Sequence, residues 1–371
     1  MRRLLPNLAV LAAAALALAA CGPASDTPAA AAAAPAAAVA SPTALHGPGA
    51  PVAVLTRNLY LGADLVPVIA ATDGAQFLAA TTAVWAMVQR NDFHVRARAV
   101  AEEIARARPA LVGLQEAYTW RVQDPGDART GGTVPATTVA YDYVPEILSA
   151  LRRMGLHYRV AASVELFDFE APVATGQDVR LTDHGVVLAR ADVETQAPEG
   201  HVYSTLLPVQ VLGQSHPVLR GWASVAARVR GGPWFRFVST HLEAYQPLVR
   251  TAQAQELAAA LAGETRPLVL VGDLNSHPGE EGEAVLAAAG LGDAWATLFP
   301  SRPGLTCCWL EDLTVSSPPA PPLDERIDYV LFRGPVQPRW ADVVGDRPWE
   351  RERGLWPSDH AGLVAWLRIG D

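Results

Sequence analysis

Short apolar runs that end abruptly in a charged, amide or imidazole cluster constrain this chain most. Leu268-Val269-Leu270-Val271 runs into Gly272-Asp273-Leu274-Asn275-Ser276, and Phe237-Val238 runs into Ser239-Thr240-His241-Leu242-Glu243. Ala110-Leu111-Val112-Gly113-Leu114 ends in Gln115-Glu116, and Val52-Ala53-Val54-Leu55-Thr56-Arg57 ends in Asn58. Arg326-Ile327-Asp328-Tyr329-Val330 and Ser358-Asp359-His360 add two more such clusters near the end. An apolar run this short, bounded by turn formers, reads as a buried strand. Strand ends that gather carboxylates, an Asn and two His in one place have the chemistry of a metal-assisted phosphoryl site.

Between these runs, helical spacing recurs. Residues 73–90 carry Phe77, Val84, Met87 and Val88 at helical intervals after a capping residue at Thr72 or Asp73. A second helix is expected over 92–106, with Val95, Ala99, Ile104 and Ala105 inward and its arginines on a solvated face. Further helices are expected at 145–154, 248–261 and 281–289, and a surface loop at 124–138. Strands are expected at 158–164, 184–190, 222–230, 234–240, 267–272, 327–332 and 362–368. Helices alternating with strands, mixed with adjacent strands such as 222–230 and 234–240, imply an α/β fold with mixed sheets.

The N-terminus reads as a targeting segment. Met1-Arg2-Arg3 is a basic start, 8–20 is an apolar run too short to span a bilayer comfortably, and the run ends Leu18-Ala19-Ala20-Cys21. That ending resembles the lipobox of bacterial lipoproteins, which implies a signal peptide over 1–20 and lipidation of Cys21. An ordinary secretory signal ending near a Cys is the alternative. Residues 21–50, almost all Ala, Pro, Ser and Gly, cannot bury a core and read as a flexible tether. The folded part is then 51–371, exported and held by its lipid to a membrane, facing the periplasm or the cell surface. The formal charge is −9, and loss of Arg2 and Arg3 takes the mature chain to about −11. This weighs against bulk attraction to nucleic acid or anionic lipid. Every basic residue is Arg, which together with the abundance of Ala reflects genome composition more than phosphate recognition.

Beyond Cys21 the only cysteines are the neighbours Cys307 and Cys308. They read as a vicinal disulfide or two free thiols, and a zinc site there would need a nearby His.

Taken singly, an Asp or Asn after a strand is a turn residue and a His in a strand is structural. Their order changes the reading. Asn58, Gln115-Glu116, His241-Leu242, Gly272-Asp273-Leu274-Asn275, Ile327-Asp328-Tyr329 and Ser358-Asp359-His360 resemble, in sequence, the endonuclease/exonuclease/phosphatase superfamily. The resemblance covers roughly 51–371 and rests mainly on Gly-Asp-Leu-Asn followed by Ser-Asp-His. It implies a four-layer α/β sandwich of two mixed β-sheets packed face to face with helices outside. It also implies Mg²⁺ (Mn²⁺ or Ca²⁺ as alternatives) held by Glu116, Asn58 and Asp359, which are hard oxygen donors. Asp273 would aim or deprotonate the attacking water, Asn275 would hold the water or a phosphoryl oxygen, His360 backed by Asp328 would face the developing charge, and His241 would contact the phosphate from the other side. Arg180 lies where family members place a phosphate-contacting Arg or Tyr, and neighbouring His184 reads as structural.

The activity implied is metal-dependent hydrolysis of a phosphodiester by in-line attack of water. The substrate would be nucleic acid or a phospholipid head group, as in a nuclease or a sphingomyelinase, and the protein a monomer. An inositol-phosphate phosphatase is the alternative within the class, and a non-catalytic surface-binding lipoprotein the alternative outside it. The stretch from Trp349 to Trp356 before Ser358 offers two tryptophans to a base, a membrane interface or the core.

Overall fold

The computed structural model describes residues 49–314 and 323–370. The expected signal peptide at 1–20, Cys21 and nearly all of the tether at 21–50 lie outside the described residues. The first strand begins at Ala50, one residue before the expected start of the folded part.

An eight-stranded sheet contains β1 (Ala50–Asn58), β2 (Leu111–Gln115), β3 (Thr119–Gln123), β4 (Thr138–Asp142), β5 (Tyr158–Pro172) and β6 (Asp178–Arg190). It is completed by two late strands, Gly362–Ile369 beside β1 and Val336–Val344 beyond it at the edge. The middle of the chain supplies β7 (Glu194–Val202), the hairpin β8 (Leu207–Val211) and β9 (Gln214–Val218), then β10 (Gly221–Arg228), β11 (Phe235–His241), β12 (Leu268–Asp273), β13 (Gly292–Asp293) and β14 (Asp328–Arg333). With β15 (Val336–Val344) and β16 (Gly362–Ile369), the large sheet runs β15-β16-β1-β2-β6-β3-β4, with β5 on β6. The second sheet runs β13-β14-β12-β11-β10-β7, and β8-β9 stands apart. Each large sheet is mixed: β1 pairs β2 in parallel and β16 antiparallel, while β11 and β12 are parallel and β12 and β14 antiparallel.

The unbroken apolar strands follow from burial on both faces. In β12, Val269 and Val271 enter the core between the sheets with Val54, Val187, Val225 and Leu363. Leu268 and Leu270 face the opposite way, against Ala254 and Leu257 of α5 (Pro247–Ala260). The outer face of the large sheet is covered by α2 (Gly74–Arg90), α3 (Phe93–Ala107) and α4 (Tyr143–Arg153), with the one-turn α1 (Val66–Ile69) at their edge. Helix, sheet, sheet and helix make the four-layer sandwich expected.

Asp73 caps α2, its carboxylate accepting from the amides of Ala75 and Gln76 at 2.9 and 2.8 Å. On α3 the expectation of solvated arginines fails at Arg96. Its guanidinium is buried and donates to the carbonyls of Asn91, Leu59, Pro357 and Tyr60. It ties the loop after β1 to the loop carrying Ser358, and only a fork of several donors can satisfy so many carbonyls. Arg57 and Glu103 form a second fully buried link, 3.0 Å apart, and Arg57 also donates to the carbonyl of His360. The strands expected at 158–164 and 184–190 extend into one long hairpin, because Asp168 and Arg180 pair across it and keep its charged stretch extended. Trp356 packs inside on Trp309, with ring centroids 4.4 Å apart, whereas Trp349 is exposed.

Candidate active site

Strand register gathers the chemistry. His241 ends β11 opposite Asp273, which ends β12, and Asp273 lies opposite Asp328, which opens β14. In the large sheet, Asn58 at the end of β1 lies beside Gln115 at the end of β2, and Glu116 follows. Ser358-Asp359-His360 enters just before β16, the partner of β1. Gln115 bridges the sheets, donating to the Ser239 hydroxyl at 3.0 Å. The sequence-expected residues therefore converge on one end of the sandwich.

Asp273 is the hub. One carboxylate oxygen accepts from the Asn275 amide at 2.9 Å and the other from the Asn58 side chain at 3.0 Å. Nε2 of His241 lies 3.4 Å from Asp273 and Nε2 of His360 3.8 Å away. Burial and the neighbouring Asp328 raise the Asp273 pKa, against the pull of His360 and the two hydrogen bonds. A carboxylate made more basic in this way is suited to take a proton from water near neutral pH.

The two imidazoles differ in state. Nδ1 of His360 lies 2.9 Å from Asp328, which is wholly buried. Burial alone would lower the His360 pKa, but Asp328, Asp359 and Asp273 outweigh it and hold it well above the usual value. His241 goes the other way, lowered by burial, by Arg220 and by His360. Nη1 of Arg220 lies 3.0 Å from His241 Nδ1, and a guanidinium can only donate. Nδ1 of His241 is therefore the acceptor, and its proton sits on Nε2, facing Asp273 and the cavity.

Glu116 accepts from the Leu61 amide at 2.8 Å and from Asn58 at 3.2 Å. Asn58 turns its oxygen to the Tyr60 amide, at 2.9 Å, which fixes its amide nitrogen toward Glu116 and Asp273. Burial raises the Asp359 pKa, and its proximity to Glu116 raises it further against the pull of His360. Glu116 and Asp359, two carboxylates that repel one another, suit a hard divalent cation, whereas Asn58, expected as a third ligand, presents its amide nitrogen to Glu116 and its oxygen to the Tyr60 amide. The donor atoms of Asp273, Asp328 and His360 also lie within 4.8 Å of one another, a group able to hold a metal. Tyr60, Glu116 and Asn275 all have positive φ, of 59°, 54° and 47°. Left-handed backbone costs a non-glycine residue about 1–3 kcal/mol, and such residues cluster at functional sites.

These groups open on a cavity of about 320 Å³ that Glu116, His241, Asp273, Asn275, Asp359 and His360 line at one end. Asp328 stands behind His360. Arg180 does not line the cavity; it is paired with Asp168 at 2.8 Å. Strand alternation explains it: Leu181 and Asp183 of β6 reach the cavity, while Arg180, Thr182 and His184 fall on the other parity. His184 Nδ1 rests 3.2 Å from the Ala117 carbonyl. Arg220, Asp183, Tyr118 and Tyr245 line the cavity without any sequence signal of their own. Cys307 and Cys308 are paired as a vicinal disulfide, which leaves no thiolate for a zinc ion, although the Cys307 sulfur lies 3.5 Å from His360 Nε2.

Residues 86–360 match the model of the Endonuclease/Exonuclease/phosphatase family. The chain belongs to this family. Its members are hydrolases acting on phosphoester bonds. Similar folds occur in an endonuclease/exonuclease/phosphatase family protein from Bacteroides thetaiotaomicron (15% identity, 87% of this chain and 96% of that one, TM-score 0.54). They occur also in a mannosyl-6-phosphatase of the same species (14% identity, 86% and 100%, TM-score 0.51). A humanized D. rerio TDP2 is similar as well (17% identity, 86% and 99%, TM-score 0.50). No curated protein sequence matches the chain significantly.

Proposed function

We propose that this protein is a Mg²⁺-dependent phosphodiesterase that hydrolyses its substrate by in-line attack of water. The observation that supports this best is the placement of Asp273 between two imidazoles of opposite character. Glu116 and Asp359, with Asn58 beside them, would hold the metal, which when bound neutralises phosphoryl charge as a Lewis acid. The remaining roles belong to the chain. Asp273 accepts the proton of the attacking water, held in place by Asn58 and the Asn275 amide. His241, neutral and protonated on Nε2, donates to a phosphoryl oxygen. His360, kept cationic by Asp328, faces the charge that builds up as the bond to the leaving oxygen breaks. The test is turnover of bis-p-nitrophenyl phosphate with Mg²⁺ and with chelator, followed by DNA, RNA, sphingomyelin and inositol phosphates. Absence of metal-dependent turnover on all of them would overturn the proposal.

The N-terminal sequence supports a second part of the reading: export, cleavage before Cys21, lipidation of that Cys and a monomer tethered to a membrane by 21–50. Intact mass of the protein isolated from its membrane fraction should show loss of residues 1–20 and a lipid-sized gain on Cys21. A mature chain starting elsewhere with Cys21 unmodified would refute it. Among the described residues no helix is long and apolar enough to cross a membrane.

A further inference from the structure

Beyond the phosphoryl centre, the cavity is walled by elements that contribute nothing to catalysis. Val68 of α1, Phe167 and Phe169 of β5, Val209 and Val211 of the small hairpin, and Leu219 form an apolar surface continuous with Glu116 and His241. A phosphate and a metal have no use for such a wall. A nucleic-acid strand, charged at every nucleotide, would have to desolvate phosphates against it. The wall fits an uncharged apolar group esterified to the phosphorus.

Polar groups interrupt it, among them Tyr118, His216, Arg220 and Asp183. Asp183 is 1% exposed and lines the cavity. The amide of the next residue, His184, helps to hold its charge, but neither carboxylate oxygen has a hydrogen bond of ordinary geometry. Arg220 is near enough to attract it, yet one of its terminal nitrogens is engaged by His241, and its Nε makes no hydrogen bond and lies 4.0 Å from the Glu243 carboxylate, which competes for its charge. Buried acceptors are rarely left unmatched, and two of them facing a cavity call for a donor from a ligand. The chain sets where that donor must lie. The carbonyl of His184 accepts from the amide of Ala117 at 3.1 Å, so Asp183 stands beside the Glu116 corner of the phosphoryl centre.

We propose that the substrate is an amphiphilic phosphoester whose apolar chain lies on the Val68, Phe167, Phe169 and Val211 wall and whose hydroxyl or amide N–H, a few bonds from the esterified oxygen, donates to Asp183. This rests on the phosphoesterase reading above. It makes Asp183 a specificity-determining residue outside the motifs that carry the chemistry.

The test compares two short-chain phosphocholine diesters below their micellar concentrations. One is the ester of an N-acyl amino alcohol with a free hydroxyl, and the other is the ester of a diacylglycerol with similar chains and no donor. A single-stranded oligonucleotide is the third substrate. The donor-bearing ester should have kcat/KM about 10- to 100-fold above the donor-free one, since an unmatched buried acceptor costs that much. Asp183→Leu should collapse the preference to about threefold or less, and Asp183→Asn, which keeps one acceptor, should retain part of it. Replacing an unpaired buried carboxylate by Leu does not endanger folding, and thermal unfolding checks this. Calorimetry with the free N-acyl amino alcohol, which has no phosphate, gives a readout without turnover: its Kd should weaken about 10-fold or more in Asp183→Leu. Equal kcat/KM for the two esters, preference for the oligonucleotide, or alcohol binding indifferent to Asp183 would overturn the proposal. Failure to hydrolyse even bis-p-nitrophenyl phosphate would instead overturn the phosphoesterase reading, and the calorimetry would still decide the pocket.

Discussion

Replacing His360 by Ala and Asp328 by Asn, singly and together, tests how the centre handles charge. Asp328 Oδ2 lies 2.9 Å from His360 Nδ1, and Asp328 is wholly buried. Unit charges about 4 Å apart attract by about 4 kcal/mol at an effective dielectric of 20. Asn at 328 can still accept from Nδ1–H, so the tautomer survives and only this attraction is lost. Without it, burial disfavours the imidazolium and the donor facing the phosphoryl charge is gone. Loss of one such donor costs about 100- to 1,000-fold in kcat, or about 3–4 kcal/mol. Each single variant should lose that much, with KM nearly unchanged, because the interaction is made in the transition state. The double variant should lose little more than either single one, since both remove the same imidazolium. The assay is kcat on bis-p-nitrophenyl phosphate at saturating Mg²⁺, with thermal unfolding to verify the fold. Multiplicative losses, or a folded His360→Ala variant with normal kcat, would refute the assigned pairing.

Three further perturbations separate the other roles. Glu116→Gln keeps size and an acceptor but removes charge, so Mg²⁺ should bind about 10-fold or more weakly by titration calorimetry, with activity falling in parallel; an unchanged metal requirement excludes Glu116 as a ligand. Glu103→Ala strands the buried Arg57 guanidinium, now 3.0 Å from its carboxylate, and should cost about 3–5 kcal/mol in urea unfolding; a cost below about 1 kcal/mol would show that the link is dispensable. Burial raises Asp183 from 3.8 to about 7, despite Arg220, so its native form binds a proton more tightly than the unfolded chain does. Its contribution to stability is therefore present below about pH 4 and lost as pH rises through about 7, and the stability of Asp183→Asn relative to wild type should climb by about 4 kcal/mol from pH 4 to 8. A pH-independent difference in urea unfolding would refute the burial argument.

How much of this was readable from the chain differs by element. The apolar runs at 110–115, 234–240 and 267–272 gave the central strands, because strands buried on both faces leave no room for polar residues. Helices at 74–90 and 247–260 were close to expectation for the same kind of local reason: a cap at Asp73 and a Pro at the first turn of α5. The strands at 119–123 and 138–142, and the charged half of the β5–β6 hairpin, were not legible. Their polar residues are accommodated by cross-strand partners such as Asp168 and Arg180, which lie 12 positions apart in the chain.

The sequence by itself determined the candidate site groups, since Gly-Asp-Leu-Asn, Ser-Asp-His, Gln-Glu and the strand-end His each carry their chemistry locally. Tertiary structure alone decided how those groups behave. Which imidazole is neutral depends on Arg220, 21 residues from His241, and which is cationic depends on Asp328, 32 residues from His360. That Asp183 rather than Arg180 reaches the cavity is a matter of strand parity, and a one-residue change of register would reverse it. The buried Arg96 and Arg57 could not be told from surface arginines, because a long cationic side chain is buried only where the fold supplies carbonyls or a carboxylate to receive it. Side-chain identity is local. Protonation, burial and facing are set by neighbours that the chain brings together only on folding.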